Sequence, residues 1–387
     1  MSTPRPSTGT LFAYGFASRL YFHLPILLVY IKTFGIGVIE TAALLAAYGL
    51  AMTAGSMLSG PQASRRTAPQ LMAFGEVLKA AGLVLLMVGS DVPVLLAGQT
   101  VAGIGFGFTA GRESAVLRSS VAPDEVDLVQ GNLQSWLFGA SLVGMFTGSV
   151  LYLQAEWLPF AGGIVASLIA AAIALRLPAP PLAPATKVAA ALPSLTSGQV
   201  GWVSYYVVSR GLGWGLFIGF VPLVLLRMDL SIGLYGVILG TFTLAGFLMA
   251  RFGSRVVATA GPTTITIATM VSLVIAVALM ADTTSLPVVL VSVAALGLGM
   301  GLIRPVAIRG LALPSLPPTS RGTLLMRQER WYGLVNAGVI LGGGVLLWQT
   351  DLATTFYVAA ALYAAYIPVF ALLLRGWAPE AQPAFEG

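Results

Sequence analysis

The sequence predicts an all-α integral membrane protein: twelve transmembrane helices arranged as two pseudo-symmetric six-helix bundles. Three observations lead there. The 387 residues are 57% hydrophobic and 9% charged, with a mean hydropathy of +0.90. Soluble domains carry about a quarter of their residues charged, so a water-exposed surface is not what this chain is written for. Apolar runs close to the ~20 residues that cross a hydrocarbon core recur along the whole length. The basic residues, finally, fall almost all into alternate loops.

The runs lie at about 11–31, 37–59, 69–89, 93–111, 128–151, 157–176, 200–226, 231–250, 256–281, 286–309, 327–349 and 352–375. Backbone groups in lipid need internal partners, so each is expected to be a helix. The first, "FASRLYFHLPILLVY", carries Arg19 and His23, the single histidine. Glu40 stands near the start of the second, where an outer gate would be. The third holds Glu76 and Lys79, three apart and therefore on one face. The fourth contains "GIGFG" (Gly103, Gly105, Gly107) and the tenth "GLGMG" (Gly297, Gly299, Gly301), 194 residues on. The fifth has Gln134, Gly139, Gly144 and Gly148; the eleventh repeats them at the same offset as Gln328, Gly333, Gly338 and Gly342. Between the sixth and seventh runs lies a Pro- and Ala-rich linker, residues 177–199, which divides the chain into 1–176 and 200–387. Six runs on each side and one shared offset predict a duplication with parallel repeats. The glycines read as packing positions that let helices approach closely.

With the N-terminus placed in the cytoplasm, fifteen of the twenty Lys and Arg fall on that side, two (Lys32 and Arg227) outside, and Arg19, Lys79 and Arg210 within the spans. Positively charged loops stay inside, so both termini and the linker are expected in the cytoplasm, as in a bacterial inner-membrane protein. The net charge of +6 is then topology rather than a sign of nucleic acid. The polar start "MSTPRPSTGT" runs straight into the first span and reads as an uncleaved tail. There is no cysteine, hence no disulfide framework, thiolate metal site or cysteine nucleophile. One histidine, no H-E-x-x-H and no G-x-S-x-G leave enzyme chemistry little to work with. No nucleotide-binding loop is present either, so no cofactor or metal is expected and a gradient would supply the energy.

Two segments then resemble the major facilitator superfamily of transporters. Its signature G-x-x-x-D-R-x-G-R-[RK] is similar to "GPQASRRTAP" (Gly60, Ser64, Arg65) and to "GFLMARFGSR" (Gly246, Arg251, Gly253, Arg255), at matching places in the two halves. Ser64 and Ala250 stand where the family carries Asp, so its charged latch must be built differently here. The helix-4 pattern R-x-x-x-G-x-G appears as "QTVAGIG", with Gln99 in the place of the Arg of proton-coupled drug antiporters. The resemblance implies alternating access about a central cavity lined by helices 1, 4, 7 and 10, with helix 3 peripheral.

Arg19 would lie about 12 Å along helix 1 from its cytoplasmic end. Helix 7 repeats the Ser-Arg pair as Ser209 and Arg210. An Arg at a helix centre costs roughly 2.5–3.5 kcal/mol on insertion scales, so two on corresponding helices argue for a use. The organophosphate antiporters of the superfamily resemble this arrangement. The expected substrate site is Arg19, His23 and Tyr30 from helix 1 with Tyr206, Arg210 and Trp214 from helix 7, holding a small organic anion. The bland reading is snorkelling arginines, with Tyr206 and Trp214 as interfacial anchors. Glu76 and His23 are the coupling candidates, although mutual neutralisation with Lys79 also accounts for Glu76. Arg65, Arg112, Glu113, Arg251, Arg327, Glu329 and Arg330, with Arg118, Asp124, Glu125 and Asp127 nearby, would close the cytoplasmic gate through ion pairs between the halves. The expected partners are a small-molecule substrate and membrane lipid, with the protein a monomer. Alternatives are proton-driven efflux of drugs or apolar natural products, and a lipid transporter or scramblase.

Overall fold

The computed structural model describes residues 8–121, 126–179, 195–311 and 318–375. Asp124, Glu125 and most of the linker, residues 180–194, lie outside the described residues. Among these, every regular element is a helix: α1 (Thr8–Ser18), α2 (Leu27–Thr33), α3 (Val38–Gln62), α4 (Ala68–Val88), α5 (Val92–Thr109), α6 (Arg112–Ser120), α7 (Val126–Gln154), α8 (Leu158–Ala174), α9 (Ser197–Gly219), α10 (Val221–Arg227), α11 (Ile232–Ala260), α12 (Pro262–Leu279), α13 (Leu286–Gly310), α14 (Pro318–Gln349) and α15 (Leu352–Leu373). Ten stretches of helix are long and apolar enough to cross a membrane, and α8, at 17 residues, is a shorter apolar helix. Leu153, Trp157, Val291, Trp348 and Leu362 are more than half exposed, which suits hydrocarbon rather than water. Starts are capped where the sequence allows it: Thr67 with Gln70, and Thr196 with Gln199, form reciprocal capping boxes on α4 and α9.

The first span departs from expectation. It is not one helix over 11–31 but two, with residues 19–26 in tight turns between them. Pro25 lacks the N–H that an unbroken helix would direct at the Tyr21 carbonyl, and its ring would clash there. The chain instead closes short-range bonds, Tyr21 N to Arg19 O at 2.9 Å and Leu24 N to Tyr21 O at 3.2 Å. Freed carbonyls need donors in a membrane interior. Lys79 Nζ supplies one to Ser18 O at 3.0 Å, and Ser141 Oγ reaches Arg19 O at 3.4 Å. The lysine also places a cation at the negative end of α1.

The 194-residue offset recurs in space. A Cβ on Gly103 would meet Tyr48 and Ala51, and one on Gly297 would meet Phe242 and Ala245, each partner displaced by the same offset. Gly107 faces Met52, Gly55 and Ser56; Gly301 faces Gly246, Met249 and Ala250. Thus α5 sits on α3 as α13 sits on α11. The Ser-Arg pairs do not follow this register: Arg19 and Arg210 are 191 residues apart, about one helical turn short.

The halves meet along α3 with α14 and α7 with α11. Around one end, called here the arginine-rich face, three arginines bond across the halves to neutral groups. Arg330 reaches Ser56 O at 3.3 Å, Arg304 reaches Ser114 and Gln134, and Arg251 reaches Asn132. Thr53 Oγ1 also donates to Arg330 O at 3.1 Å. Cross-half ion pairs were expected here; among the described residues the arginines bond to neutral groups instead. Glu113 and Glu329 have turned inward to partners in their own halves. Arg112 stays within its half on Phe108 O and Ser59 O, while Arg65 and Arg327 are exposed. Toward the opposite face, side chains of α2 pack with α3, α5 and α8 in an apolar cluster that Ile218 and Leu223 of the second half join.

Candidate functional site

Between the halves lies a cavity of about 170 Å³. An apolar cavity of about 150 Å³ holds benzene, so this one accommodates a small organic molecule. Its wall combines the broken first span with α3, α4, α5, α7, α8, α9, α13 and α14.

Arg19 reaches it because the chain leaves the helix just before it. Its Nη2 donates to Glu113 Oε1 at 3.2 Å, and its guanidinium lies over Phe106, 4.9 Å from the ring centre. Arg210 lines the other half. Its Nη1 donates to both oxygens of Glu329, at 2.7 and 2.8 Å, and to the Tyr206 hydroxyl, which itself donates to Glu329 Oε1 at 2.5 Å. The Tyr332 ring covers the guanidinium at 4.2 Å. Neither arginine snorkels to a surface, for each is half-buried against a carboxylate and an aromatic face. Trp214 also lines the cavity, edge-on to Phe217 and Phe242, rather than anchoring at an interface.

His23 lines the cavity as expected, its ring 6.1 Å from that of Phe160 and its Nδ1 buried without a partner. Tyr30 does not. The i, i+4, i+7 face that grouped it with Arg19 assumed an unbroken helix, and past the break it turns into the protein, where its hydroxyl donates to Leu86 O at 3.1 Å. Glu76 is fully buried behind the wall. It accepts from Tyr14 at 2.9 Å, Ser18 at 2.6 Å and Lys79 at 2.7 Å. The third helix is therefore not peripheral here: Lys79 borders the cavity itself.

Sequence reasoning missed several lining residues. Lys79 read as a neutralising partner, Arg304 as one of the cytoplasmic basic residues, and Tyr48, Phe106, Tyr332 and Asn336 drew no attention. Gln99 stood out only as a departure from a family motif; it is 3% exposed, and its amide nitrogen is buried without a partner at the cavity. Arg304 carried the one available signal, an Arg immediately before Pro305 inside an apolar run.

A family model described as Major Facilitator Superfamily matches residues 9–326. The chain belongs to the Major Facilitator Superfamily. Solved members share its fold at low identity. The human organic anion transporter TETRAN is 14% identical and superposes with a TM-score of 0.74, over 95% of this chain and 100% of its own. The nucleoside transporter NupG is 14% identical with a TM-score of 0.70, over 95% and 98%. A POT family transporter in complex with a thioalcohol-conjugated peptide is 14% identical with a TM-score of 0.73, over 95% of each chain. No curated protein matches by sequence. As a superfamily member the chain is an integral membrane protein and a secondary transporter of small molecules.

Proposed function

We propose that this transporter carries a small organic anion, bearing a carboxylate or phosphate on an apolar body, by alternating access across a bacterial cytoplasmic membrane. Both termini face the cytoplasm, where fifteen of its twenty basic residues then fall. The bundles 1–176 and 200–387 rock about the cavity within one monomer. The observation that carries the substrate reading is the charge of the wall. Arg19, Lys79, Arg210 and Arg304 line it, and among the described residues no Asp or Glu does. The carboxylates Glu76, Glu113 and Glu329 sit behind the cations, stabilising them in the absence of substrate without presenting negative charge to it. Phe106, Tyr48, Trp214 and Tyr332 supply the apolar surface. Such a wall repels the cationic compounds of the efflux alternative.

The direct test is thermal stabilisation of the purified protein by benzoate and phenyl phosphate against benzamide and benzyl alcohol. A ligand at 100 times its Kd stabilises by about 2.7 kcal/mol. Stabilisation by the anions alone is expected; stabilisation by the neutral compounds or by benzylamine, with none by the anions, would overturn the reading.

Mutation gives a second expected result. Arg19→Gln with Glu113→Gln, or Arg210→Gln with Glu329→Gln, removes each pair as a unit, so no buried charge is stranded. Transport of the anion that stabilises the protein should fall by about 2–5 kcal/mol, at least roughly thirtyfold, for either double variant. Arg19→Lys and Arg210→Lys should fall less, because Lys keeps the charge but loses the fork. Anion transport unchanged in both double variants would show that the arginines serve the fold only.

A further inference from the structure

Arg304 stands apart from the other cavity cations. Arg19, Lys79 and Arg210 each have a carboxylate within 3.2 Å. Among the described residues Arg304 is in no ion pair. Its Nη2 donates to Ser114 Oγ at 2.6 Å and its Nη1 to Gln134 Oε1 at 3.1 Å, both in the opposite half. Glu329 borders the same small recess behind it, with Tyr206 and Ala307, but both Glu329 oxygens are already held by Arg210. Arg304 therefore brings to the cavity a positive charge that no carboxylate binds directly, Glu329 acting on it only across the recess. Of the three arginines that bond across the halves, Arg251, Arg304 and Arg330, it alone lines the cavity.

These facts conflict in a useful way. A half-buried cation bonded only to neutral side chains is less stabilised than one that binds a counter-ion directly. An incoming anion supplies that counter-ion, and a carboxylate or phosphate accepts two parallel bonds from one guanidinium, adding opposite charge to bonds that now end on neutral oxygens. An anion taken end-on by the guanidinium uses the same two nitrogens that now hold Ser114 and Gln134. Pro305, the next residue, removes the backbone hydrogen bond to Gly301, so α13 is weakest where Arg304 would have to swing.

We propose that Arg304 is a further anion-binding residue and that taking the substrate's charge releases it from Ser114 and Gln134. Occupancy of the cavity then loosens the closure of the arginine-rich face. The binding free energy that favours the unlatched state is the difference between the two sets of Arg304 bonds, as any ligand-driven shift requires. This rests on the anion reading above.

The chain has no cysteine, so Ala307→Cys gives a single reporter. Ala307 is 1% exposed and lies one turn from Arg304 in the latched recess. Its reaction with a maleimide reads the opening of that face. Benzoate and phenyl phosphate serve as probes, with binding read by thermal shift. In the reporter background, saturating probe should raise the labelling rate several-fold. Ser114→Ala with Gln134→Leu should label fast without probe and bind it more tightly. Arg304→Gln should also label fast without probe, bind it about tenfold or more weakly, and show no further response. If neither anion binds the reporter protein, the anion reading fails and this proposal with it. If the anions bind and the Arg19–Glu113 or Arg210–Glu329 double variant weakens them while Arg304→Gln does not, the anion reading stands and this proposal alone is wrong. Labelling that ignores both probe and latch removal also overturns it.

Discussion

Replacing Lys79 with alanine is expected to destabilise the protein by about 3–5 kcal/mol, because it leaves Glu76 charged and fully buried without its partner. The change does more than break an ion pair. Lys79 also bonds the Ser18 carbonyl that the end of α1 leaves free, at 3.0 Å, and the Ser18 hydroxyl at 3.2 Å. Both the acid and the broken helix depend on one ammonium group with three donors, all of them used. Lys79→Met with Glu76→Gln removes the stranded charge, keeps most of the volume and should recover the larger part of the loss. What remains between the double variant and the native chain is the worth of the Ser18 cap. Equilibrium unfolding in mixed detergent micelles measures all three. A Lys79→Ala loss no larger than that of the exposed Lys32→Ala would show that the network is not what holds the helix end.

The same network marks where reading the sequence stopped. Run length and charge distribution are one-dimensional quantities, and they located most helix ends to within a few residues, although α11 runs on to Ala260 past the predicted 250 and α14 starts at Pro318 before the predicted 327. The span predicted at 69–89 is Ala68–Val88, and that at 352–375 is Leu352–Leu373. A repeat offset is likewise one-dimensional, and the glycines at 103 and 297 find partners at that offset. Hydropathy, however, measures whether a segment tolerates lipid, not whether its hydrogen bonds are continuous. The break at 19–26 is as apolar as a helix would be, and only Pro25 hinted at it. The misplaced site residues trace to that break or to the depth of a charge. Tyr30 was assigned to the face of an unbroken helix. Glu113 and Glu329 were assigned to a cytoplasmic gate because they fall near the ends of runs, yet they are 5% and 8% exposed and pair with the cavity arginines. The paired positions of Arg19 and Arg210 drew attention correctly to the cavity. The sequence held no means of showing that a carboxylate stands behind each of them, since those partners are 94 and 119 residues away.

Gly148 and Gly342 occupy equivalent positions in the repeat, yet alanine should have opposite effects at the two. On α7, the turn at 19–26 presses its backbone into the helix. A Cβ on Gly144 would lie 2.7 Å from Tyr21 N, and one on Gly148 would collide with the Phe22 carbonyl oxygen. On α14 nothing lies within 4 Å of a Cβ at Gly338 or Gly342. The second half has no counterpart to press there, since α9 runs on to Gly219 and breaks only at Phe220. Gly148→Ala must displace backbone rather than a pliable side chain, so it should cost at least about 1–3 kcal/mol, as overpacking does. It should also shift His23 and Arg19, which the turn carries into the cavity, and so weaken probe-anion binding. Gly342→Ala fills open space in a helix and should be neutral or stabilising by up to about 1 kcal/mol, the helix-propensity difference between the residues. Measuring both unfolding midpoints decides the matter. Equal effects at the two positions would mean that the first span is continuous, as its hydropathy suggests, and that the turn does not press against α7.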